Sequence, residues 1–247
     1  MSEQLIATIG IFIGELYGNF VGGGSIVTQF FLQGILDIPI KQAIAWDNAA
    51  VLGSELGLFL TLWYKNRLEK WMGVLAASGV AGSILGLYIL NIIDAGLLKI
   101  VFTGVIVAVL AHIFFSKSKP KQEQPVKTDN WHLLIAIGFS IGAYNAFLSI
   151  GDYVIGLLLL TSVIGLKYTR ALFGLSFMLV FARCFAAVGY FQLDYLDWSF
   201  VVPMFTSATA AGIIVGTLMN KYNFDWMEKV LKFVGLSLGL YLIYSLF

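Results

Sequence analysis

The sequence has 247 residues, of which 59% are hydrophobic and only 12% are charged, and its formal net charge is +1. Soluble domains carry about 25% charged residues, so the composition excludes an ordinary soluble domain and predicts a polytopic membrane protein. A nearly neutral chain has no overall field that would attract nucleic acid. The single cysteine, Cys184, excludes an internal disulfide.

The first apolar stretch spans residues 5–36 and is interrupted near its middle by Gly22, Gly23, Gly24 and Ser25. An interruption inside a bilayer leaves backbone groups unpaired, and it is tolerated only where protein buries it or where it lines a wet cavity. Glycines let a ligand approach the backbone, and a half-helix that begins at Ser25 would turn its N-terminus towards an anion. Tight helix packing is the alternative interpretation of the glycines.

Three apolar runs follow, each near the ~20 residues that a spanning helix needs: residues 42–63, 71–90 and 95–115. A polar segment then leads to a second interrupted stretch at residues 133–164 and to three more apolar runs at 168–190, 198–219 and 226–247. The sequence therefore predicts a first membrane repeat at 1–116, a linker at 117–130 and a second membrane repeat at 131–247.

The second interruption contains Ser149, Gly151 and Asp152, and Gly151 lies 128 positions after Gly23 (151 − 23). Interrupted segments at corresponding places in two halves are a sequence indicator of the binding site of a secondary transporter. Each arm of the two interrupted stretches is expected to hold about 12–16 residues, or roughly 18–24 Å of helix. The arms are then either half-helices that meet inside the membrane or short tilted spans.

The positive charges orient the predicted spans. If each interrupted stretch is a hairpin that returns to its starting side, twelve basic residues share one face of the membrane and only Lys41 and Lys99 face the other. If each crosses once, the count is seven against seven, so the positive-inside rule favours the hairpins. The linker is then cytoplasmic and both termini lie outside. Because three further spans are an odd number, the second repeat is inverted relative to the first.

Ionisable residues inside the predicted spans are costly in hydrocarbon and usually face a cavity or a partner. Glu55 and Arg183 are separated by the same offset as the glycines, and so are Asn48 and Ser176. Glu55 follows Asn48 by seven positions, and Arg183 follows Ser176 by seven. Seven residues are nearly two helical turns, so the two polar residues of each helix lie on the same face. Arg183 either forms an ion pair with Glu55 that locks the halves together or binds an anion through its planar fork.

Asp152 has three open interpretations: it carries a coupling proton, it caps the helix that follows, or it pairs with Arg183. The candidate substrate-binding residues are Asn19, Gly22, Gly23, Gly24, Ser25, Asn48, Ser149, Gly151, Ser176 and Arg183. The candidate coupling or ion-pair residues are Glu15, Asp47, Glu55 and Asp152.

The motif GNFVGGGSIV at residues 18–27, followed by KQA at residues 41–43, resembles the sulfite/organosulfonate exporter family of the TauE/SafE type, also called TSUP. That family is similar in length and in its two hydrophobic repeats joined by a hydrophilic cytoplasmic linker. The second glycine triplet of the family is replaced here by Ser149, Ile150, Gly151 and Asp152. The resemblance implies transport of sulfur oxyanions or organosulfonates.

The predicted fold is an all-α polytopic membrane protein with two inverted repeats, each a broken-helix hairpin plus three transmembrane helices. The predicted function is secondary transport of a small anion across the plasma membrane by alternating access, with protons as a candidate coupling ion. An anion channel of the same architecture is the alternative, and an intramembrane enzyme is disfavoured. No Walker-type phosphate loop is present. We expect no cofactor and no metal site, and we expect a small anion, lipid and a second copy of the chain in a homodimer as partners.

Overall fold

The computed structural model describes residues 2–21, 23–115, 128–219 and 244. Within this part of the chain the regular structure is entirely helical, which confirms the predicted all-α class. Nine α-helices and one π-helical segment follow one another: α1 Glu3–Val21, α2 Gly24–Gln29, the π-helix Phe30–Ile35, α3 Ile40–Trp63, α4 Lys70–Ile92, α5 Ala95–Phe115, α6 Trp131–Leu148, α7 Asp152–Ser162, α8 Tyr168–Gln192 and α9 Trp198–Met219.

Four of these helices are long and apolar enough to cross a membrane, namely α4, α6, α8 and α9. The chain is therefore a multi-pass membrane protein. Helix α3 has the length of a span but carries Asp47, Asn48, Ser54 and Glu55 on buried positions, so its polarity reflects a place in the interior. The predicted span at 226–247, apart from Tyr244, lies outside the described residues, as does most of the linker.

Both predicted interruptions are present in the structure. Helix α1 ends at Val21 and α2 begins at Gly24, while α6 ends at Leu148 and α7 begins at Asp152. The entering arms are longer than the sequence predicted, since α1 has 19 residues and α6 has 18. Helix α6 begins early because the Asn130 side chain accepts a hydrogen bond from the Leu133 backbone N–H at 3.2 Å and so caps the first turn.

The helix contacts repeat when the two halves are exchanged. Helix α3 packs on α9 as α4 packs on α8, and α4 packs on α6 as α1 packs on α9, while α3 and α8 contact each other. Small residues bring these helices close, since a Cβ added to Gly82 on α4 would lie 2.0 Å from the backbone oxygen of Phe139 on α6. This pattern is what two related halves require, and their inverted orientation stays a prediction.

The two central helices, α3 and α8, carry buried polar residues between two layers of buried apolar residues. The first turns of α3 and the last turns of α8 pack in one buried apolar cluster, which includes Ile44 and Tyr190. The last turns of α3 and the first turns of α8 join another, in which the Phe59 and Phe173 rings stack at 5.2 Å. The polar residues between these layers lie near the middle of each helix.

The outward faces of the helices are apolar. Large hydrophobic side chains are exposed along α4, α8 and α9, including Ile84, Tyr88, Phe185, Phe191 and Val202. A soluble protein rarely exposes such continuous apolar surface, so these faces suit contact with lipid. The protein therefore combines an apolar exterior with a polar centre.

Candidate functional site

A small cavity lies between the two helix interruptions, in the polar layer of α3 and α8. The centre of a water molecule can occupy about 20 Å³ of it, and one water needs roughly 10–15 Å³. The cavity in this conformation is therefore large enough for a water molecule and too small for an organic anion. Its lining residues are Glu15, Gly18, Asn19, Gly23, Gly24, Ser25, Val51, Glu55, Gly151, Asp152, Tyr153 and Arg183.

Each interruption turns through a glycine in the left-handed backbone region. Gly23, which precedes α2, has φ 78°, and Gly151, which precedes α7, has φ 73°. This region costs an L side chain roughly 1–2 kcal/mol per residue, which explains a glycine at each point. Ser149 also adopts it, with φ 56°. The sequence pattern of the two interruptions thus reflects a shared backbone geometry.

The end of α6 lies inside the protein, and side chains satisfy its exposed carbonyl groups. The Asn48 amide donates to the Asn145 backbone oxygen at 2.9 Å, and the Tyr190 hydroxyl donates to the Ala146 oxygen at 2.7 Å. The Tyr144 hydroxyl donates to the Ile150 oxygen within the interruption itself. The last carbonyls of a helix that ends at membrane depth need such partners, and these side chains supply part of them.

Arg183 lies at the centre of the site and is 1% exposed. Its Nη2 donates to Asp152 Oδ2 at 2.7 Å, and this forms a buried ion pair. Its Nη1 lies 3.4 Å from the Ser149 hydroxyl, and its Nε has no hydrogen-bond partner among the described residues. The ion pair therefore joins Arg183 to Asp152 of α7, which is one of the three interpretations of Asp152 drawn from the sequence, and not to Glu55, the other candidate partner. Glu55 shares the cavity with Arg183 but does not form an ion pair with it among the described residues.

Asp152 has a second partner that the sequence analysis missed. The Asn145 amide donates to Asp152 Oδ2, while the Asn145 side-chain oxygen accepts from the Asn48 amide at 3.1 Å. Asn145 thereby connects Asn48 of α3 to the second interruption. An amide within the apolar α6 stretch was the sequence signal that could have identified it, because a buried amide needs hydrogen-bond partners.

Several buried polar atoms around the cavity have no partner in the described part of the protein. They are both carboxyl oxygens of Asp47, Oε2 of Glu55, the side-chain oxygen of Asn48, and the hydroxyls of Ser176 and Tyr153. Most buried polar atoms in native proteins are hydrogen-bonded. A group of unpaired atoms around one cavity therefore marks a place where water or a ligand would bind.

Beside the first interruption, Asn19 forms a second set of hydrogen bonds. The Asn19 amide donates to the Glu15 backbone oxygen at 2.7 Å and to the Ser54 hydroxyl at 3.0 Å, and it lies 3.5 Å from the Glu15 carboxyl. Asn19 thus ties α1 to α3 beside the cavity. Its amide donors are already engaged, so in this conformation it holds Glu15 in position.

The structure brings the sequence-predicted residues of both halves together. Nine of them line the cavity: Glu15, Asn19, Gly23, Gly24, Ser25, Glu55, Gly151, Asp152 and Arg183. Four others, Asp47, Asn48, Ser149 and Ser176, are buried around it, whereas Gly22 lies outside the described residues. The prediction omitted Gly18, Val51 and Tyr153 of the lining and Ser54 and Asn145 of the surrounding network.

No group of three or more His, Cys, Asp or Glu side chains in the described part of the chain has an arrangement that could hold a metal ion. The carboxyl groups of the site surround the guanidinium of Arg183. This arrangement can bind an oxyanion through Arg183 and can accept protons on its carboxyl groups.

Comparison with known proteins bears on the identity of this chain. Neither curated proteins nor solved structures gave a significant match. A family model described as "Sulfite exporter TauE/SafE" matches residues 6–242, which is nearly the whole chain and includes both interruptions and the central polar layer. The protein is therefore a member of the TauE/SafE sulfite exporter family.

Proposed function

We propose that this protein is a secondary transporter that moves a small anion, such as sulfite, thiosulfate, a sulfonate or a similar organic anion, across the plasma membrane by alternating access. The observation that carries the proposal is the position of Arg183. It is the one cation among the described residues that line the cavity, and its Nε donor lies buried without a partner.

The chemistry of Arg183 suits an oxyanion. A guanidinium presents several N–H donors in a planar fork that matches the oxygens of a carboxylate, sulfonate or sulfite group. In a low-dielectric interior such charge-assisted hydrogen bonds are stronger than in water. The anion would therefore gain both charge compensation and orientation at this point.

The apolar layers on either side of the polar centre support a carrier and not a channel. One apolar layer, which includes Leu58, Phe59 and Phe173, separates the polar centre from one end of the helices. A second, which includes Ile44, Phe102 and Tyr190, separates it from the other end. A channel needs a continuous pore, whereas a carrier passes through a state that is closed on both sides.

The charge of the site supports coupling to protons. Four carboxyl groups, those of Glu15, Asp47, Glu55 and Asp152, surround a single guanidinium. If all four were ionised, an arriving anion would meet a net negative site, so uptake of protons would favour its binding. Protons are accordingly the proposed coupling ion.

We also propose that the linker is cytoplasmic and that both termini lie outside, because the positive charges are asymmetric under the hairpin arrangement. Thiol labelling of a cysteine placed at Ser2 and of one placed in the linker, with Cys184 replaced, tests this orientation. Labelling of both positions from the same side would exclude it.

A binding screen followed by a flux assay tests the transport proposal. Purified protein should be stabilised against heat by at least one of sulfite, thiosulfate, a sulfonate or a carboxylate, since a ligand at 100 times its Kd stabilises by about 2.7 kcal/mol. In reconstituted vesicles the flux of that anion should saturate as its concentration rises. Flux that does not saturate would identify a channel, and no binding with no flux would exclude both.

The variant Arg183→Lys tests the role of the guanidinium in the same assays. Lysine keeps the charge but loses the planar fork, so the anion should bind at least tenfold more weakly while the protein still inserts and folds. Binding at the parental affinity would remove Arg183 from the substrate site.

A further inference from the structure

In the second interruption, the Asp152 carboxylate contacts Arg183, the residue proposed to bind the substrate. Asp152 is the first residue of α7 and is 3% exposed, and its Oδ2 accepts from Arg183 Nη2 at 2.7 Å. A carboxylate and a sulfonate or sulfite group offer the same kind of oxygen to a guanidinium. Asp152 therefore occupies the position on Arg183 that an oxyanion would take.

Two anionic groups cannot share this guanidinium without a large repulsion. Like charges within a few ångströms disfavour one another, and burial increases the effect. Arg183 neutralises one negative charge, and that charge is Asp152 in this structure. An oxyanion that binds Arg183 must therefore either displace the Asp152 carboxylate or bind when that carboxylate is neutral.

Building on the proposed transport function, we propose that Asp152 and a singly charged oxyanion bind Arg183 alternately, and that Asp152 takes up one proton each time the oxyanion replaces it. The proton comes from water on the side to which the cavity is open, and it adds to the Asp152 carboxylate to form a carboxylic acid. The hydrogen bond from Arg183 passes to the oxyanion. The site keeps its net charge, so each anion is carried with one proton.

The other titratable groups that face this pair are less suited to the exchange. Glu15 of α1 is tied to Asn19 and Ser54, and Asp47 and Glu55 of α3 lie near Arg183 without an ion pair. The hydroxyls of Tyr144 on α6, Tyr153 on α7 and Tyr190 on α8 complete the surroundings of Asp152 and Arg183. Among the carboxyl groups of the described residues, only that of Asp152 forms an ion pair with the guanidinium.

The local hydrogen bonds allow both forms of Asp152. The Asn145 amide, which donates to Asp152 Oδ2, can pair with a carboxylate or with the carbonyl oxygen of a carboxylic acid. The residue that corresponds to Asp152 in the first half is Gly24, 128 positions earlier (152 − 24). The exchange is therefore assigned to one interruption and not to both, which limits it to one proton and one singly charged anion.

Proton uptake on binding of methanesulfonate tests this inference. Methanesulfonate stays singly charged from mildly acidic to mildly alkaline pH, so any proton taken up is bound by the protein. Titration calorimetry of the purified full-length protein, in buffers with different ionisation enthalpies, measures that number. We expect one proton per anion bound, and an affinity that falls about tenfold for each pH unit over which that proton is taken up.

Three variants identify the group that takes up the proton. Asp152→Asn should bind methanesulfonate with no proton uptake and with an affinity that no longer depends on pH. Asp152→Glu keeps a carboxyl group and should keep the uptake, which retains a test if the asparagine variant does not fold. Glu69→Gln removes a carboxyl from an arginine pair outside the cavity and should match the parent in both measurements.

The possible outcomes separate this inference from the transport proposal. Binding by the parent protein without proton uptake, or unchanged uptake in Asp152→Asn, overturns the exchange and leaves anion transport in place. Loss of uptake in a Glu15→Gln variant but not in Asp152→Asn also overturns it, because another carboxyl is then the proton carrier. Failure of the parent to bind methanesulfonate overturns it too, while the transport proposal fails only if the wider oxyanion screen is also negative.

Discussion

The two helix interruptions share a backbone geometry but are held together in different ways. In the first, α1 and α2 touch through their backbones, since a Cβ added to Gly24 would lie 2.4 Å from the Gly14 oxygen and 2.9 Å from Gly18 Cα. In the second, the position that corresponds to Gly24 is Asp152, whose side chain accepts hydrogen bonds from Asn145 and Arg183. The first interruption is therefore stabilised by close backbone packing, and the second by a buried ion pair.

This difference indicates how the two halves can have different roles in the site. The glycine contact fixes the distance between α1 and α2 and involves no charged group. A buried ion pair is stabilised only while both partners are present, so it can respond to an anion or a proton. The first interruption therefore suits a fixed wall of the cavity, and the second suits the part that responds to the substrate.

The largest effect should come from removing one partner of the buried pair. Arg183→Gln leaves Asp152 buried without its cation, and breaking a buried pair in this way costs about 3–5 kcal/mol. We expect a correspondingly large loss in the free energy of unfolding, measured by denaturant titration in detergent. If the variant is as stable as the parent, charge does not hold the second interruption.

A double variant shows whether the lost stability comes from the unpaired charge or from the loss of the arginine side chain. Asp152→Asn combined with Arg183→Gln removes both charges, so most of the lost stability should return while the anion no longer binds. A double variant as unstable as Arg183→Gln alone would show that the loss came from packing of the arginine side chain and not from the unpaired carboxylate.

A smaller effect should come from the backbone contact of the first interruption. Gly24→Ala places a methyl group against backbone atoms of α1 that cannot rotate away, so α1 and α2 must separate. Such overpacking typically costs about 1–3 kcal/mol. We expect a lower unfolding temperature with an unchanged pH dependence of anion binding, because no charge is altered.

Gly73→Ala is the control for this substitution. Gly73 lies in α4, and a Cβ added there would meet no atom within 4 Å. Alanine is the better helix former by roughly 0.8–1.0 kcal/mol, so this variant should be as stable as the parent or slightly more stable. Equal losses in Gly24→Ala and Gly73→Ala would contradict a specific contact between α1 and α2.

The sequence predicted both interruptions and nine of the residues that line the cavity, because these follow from local rules. Glycines within apolar stretches indicate a backbone that cannot stay helical, and charges within spans indicate a polar interior. The packing interpretation of the glycines, which the sequence left open, holds for Gly24, whereas Gly23 is required by its positive φ.

The sequence offered both Glu55 and Asp152 as partners of Arg183 and could not choose between them. The matching offsets of Glu55 and Arg183 identified the two central helices correctly, but symmetry does not say which of several nearby carboxyls a guanidinium contacts. That choice depends on the path of the chain between α6 and α7, where Ser149 and Gly151 both take positive φ and orient the start of α7. Long-range side-chain partners such as Asn145 depend on the same path.

The smallest effect should come from an ion pair that lies near the surface. Glu69, just before α4, pairs with Arg170 of α8, and both side chains are 36% exposed, against 4% for Asp152. The Arg170 guanidinium holds the pKa of the Glu69 carboxyl below its usual value. A lowered pKa stabilises the fold above the pKa of the unfolded chain, and this stabilisation disappears as the pH falls through the lowered value.

Solvent screens such a pair, so Glu69→Gln should lower the free energy of unfolding by only about 0.2–1 kcal/mol at neutral pH. The difference from the parent should vanish in acid, where the parent loses the same charge. Thermal unfolding of both proteins at neutral and acidic pH measures it. A loss of stability as large as that of Arg183→Gln would mean that solvent exposure does not weaken the Glu69–Arg170 pair. The contrast between this pair and the buried Asp152–Arg183 pair would then be wrong.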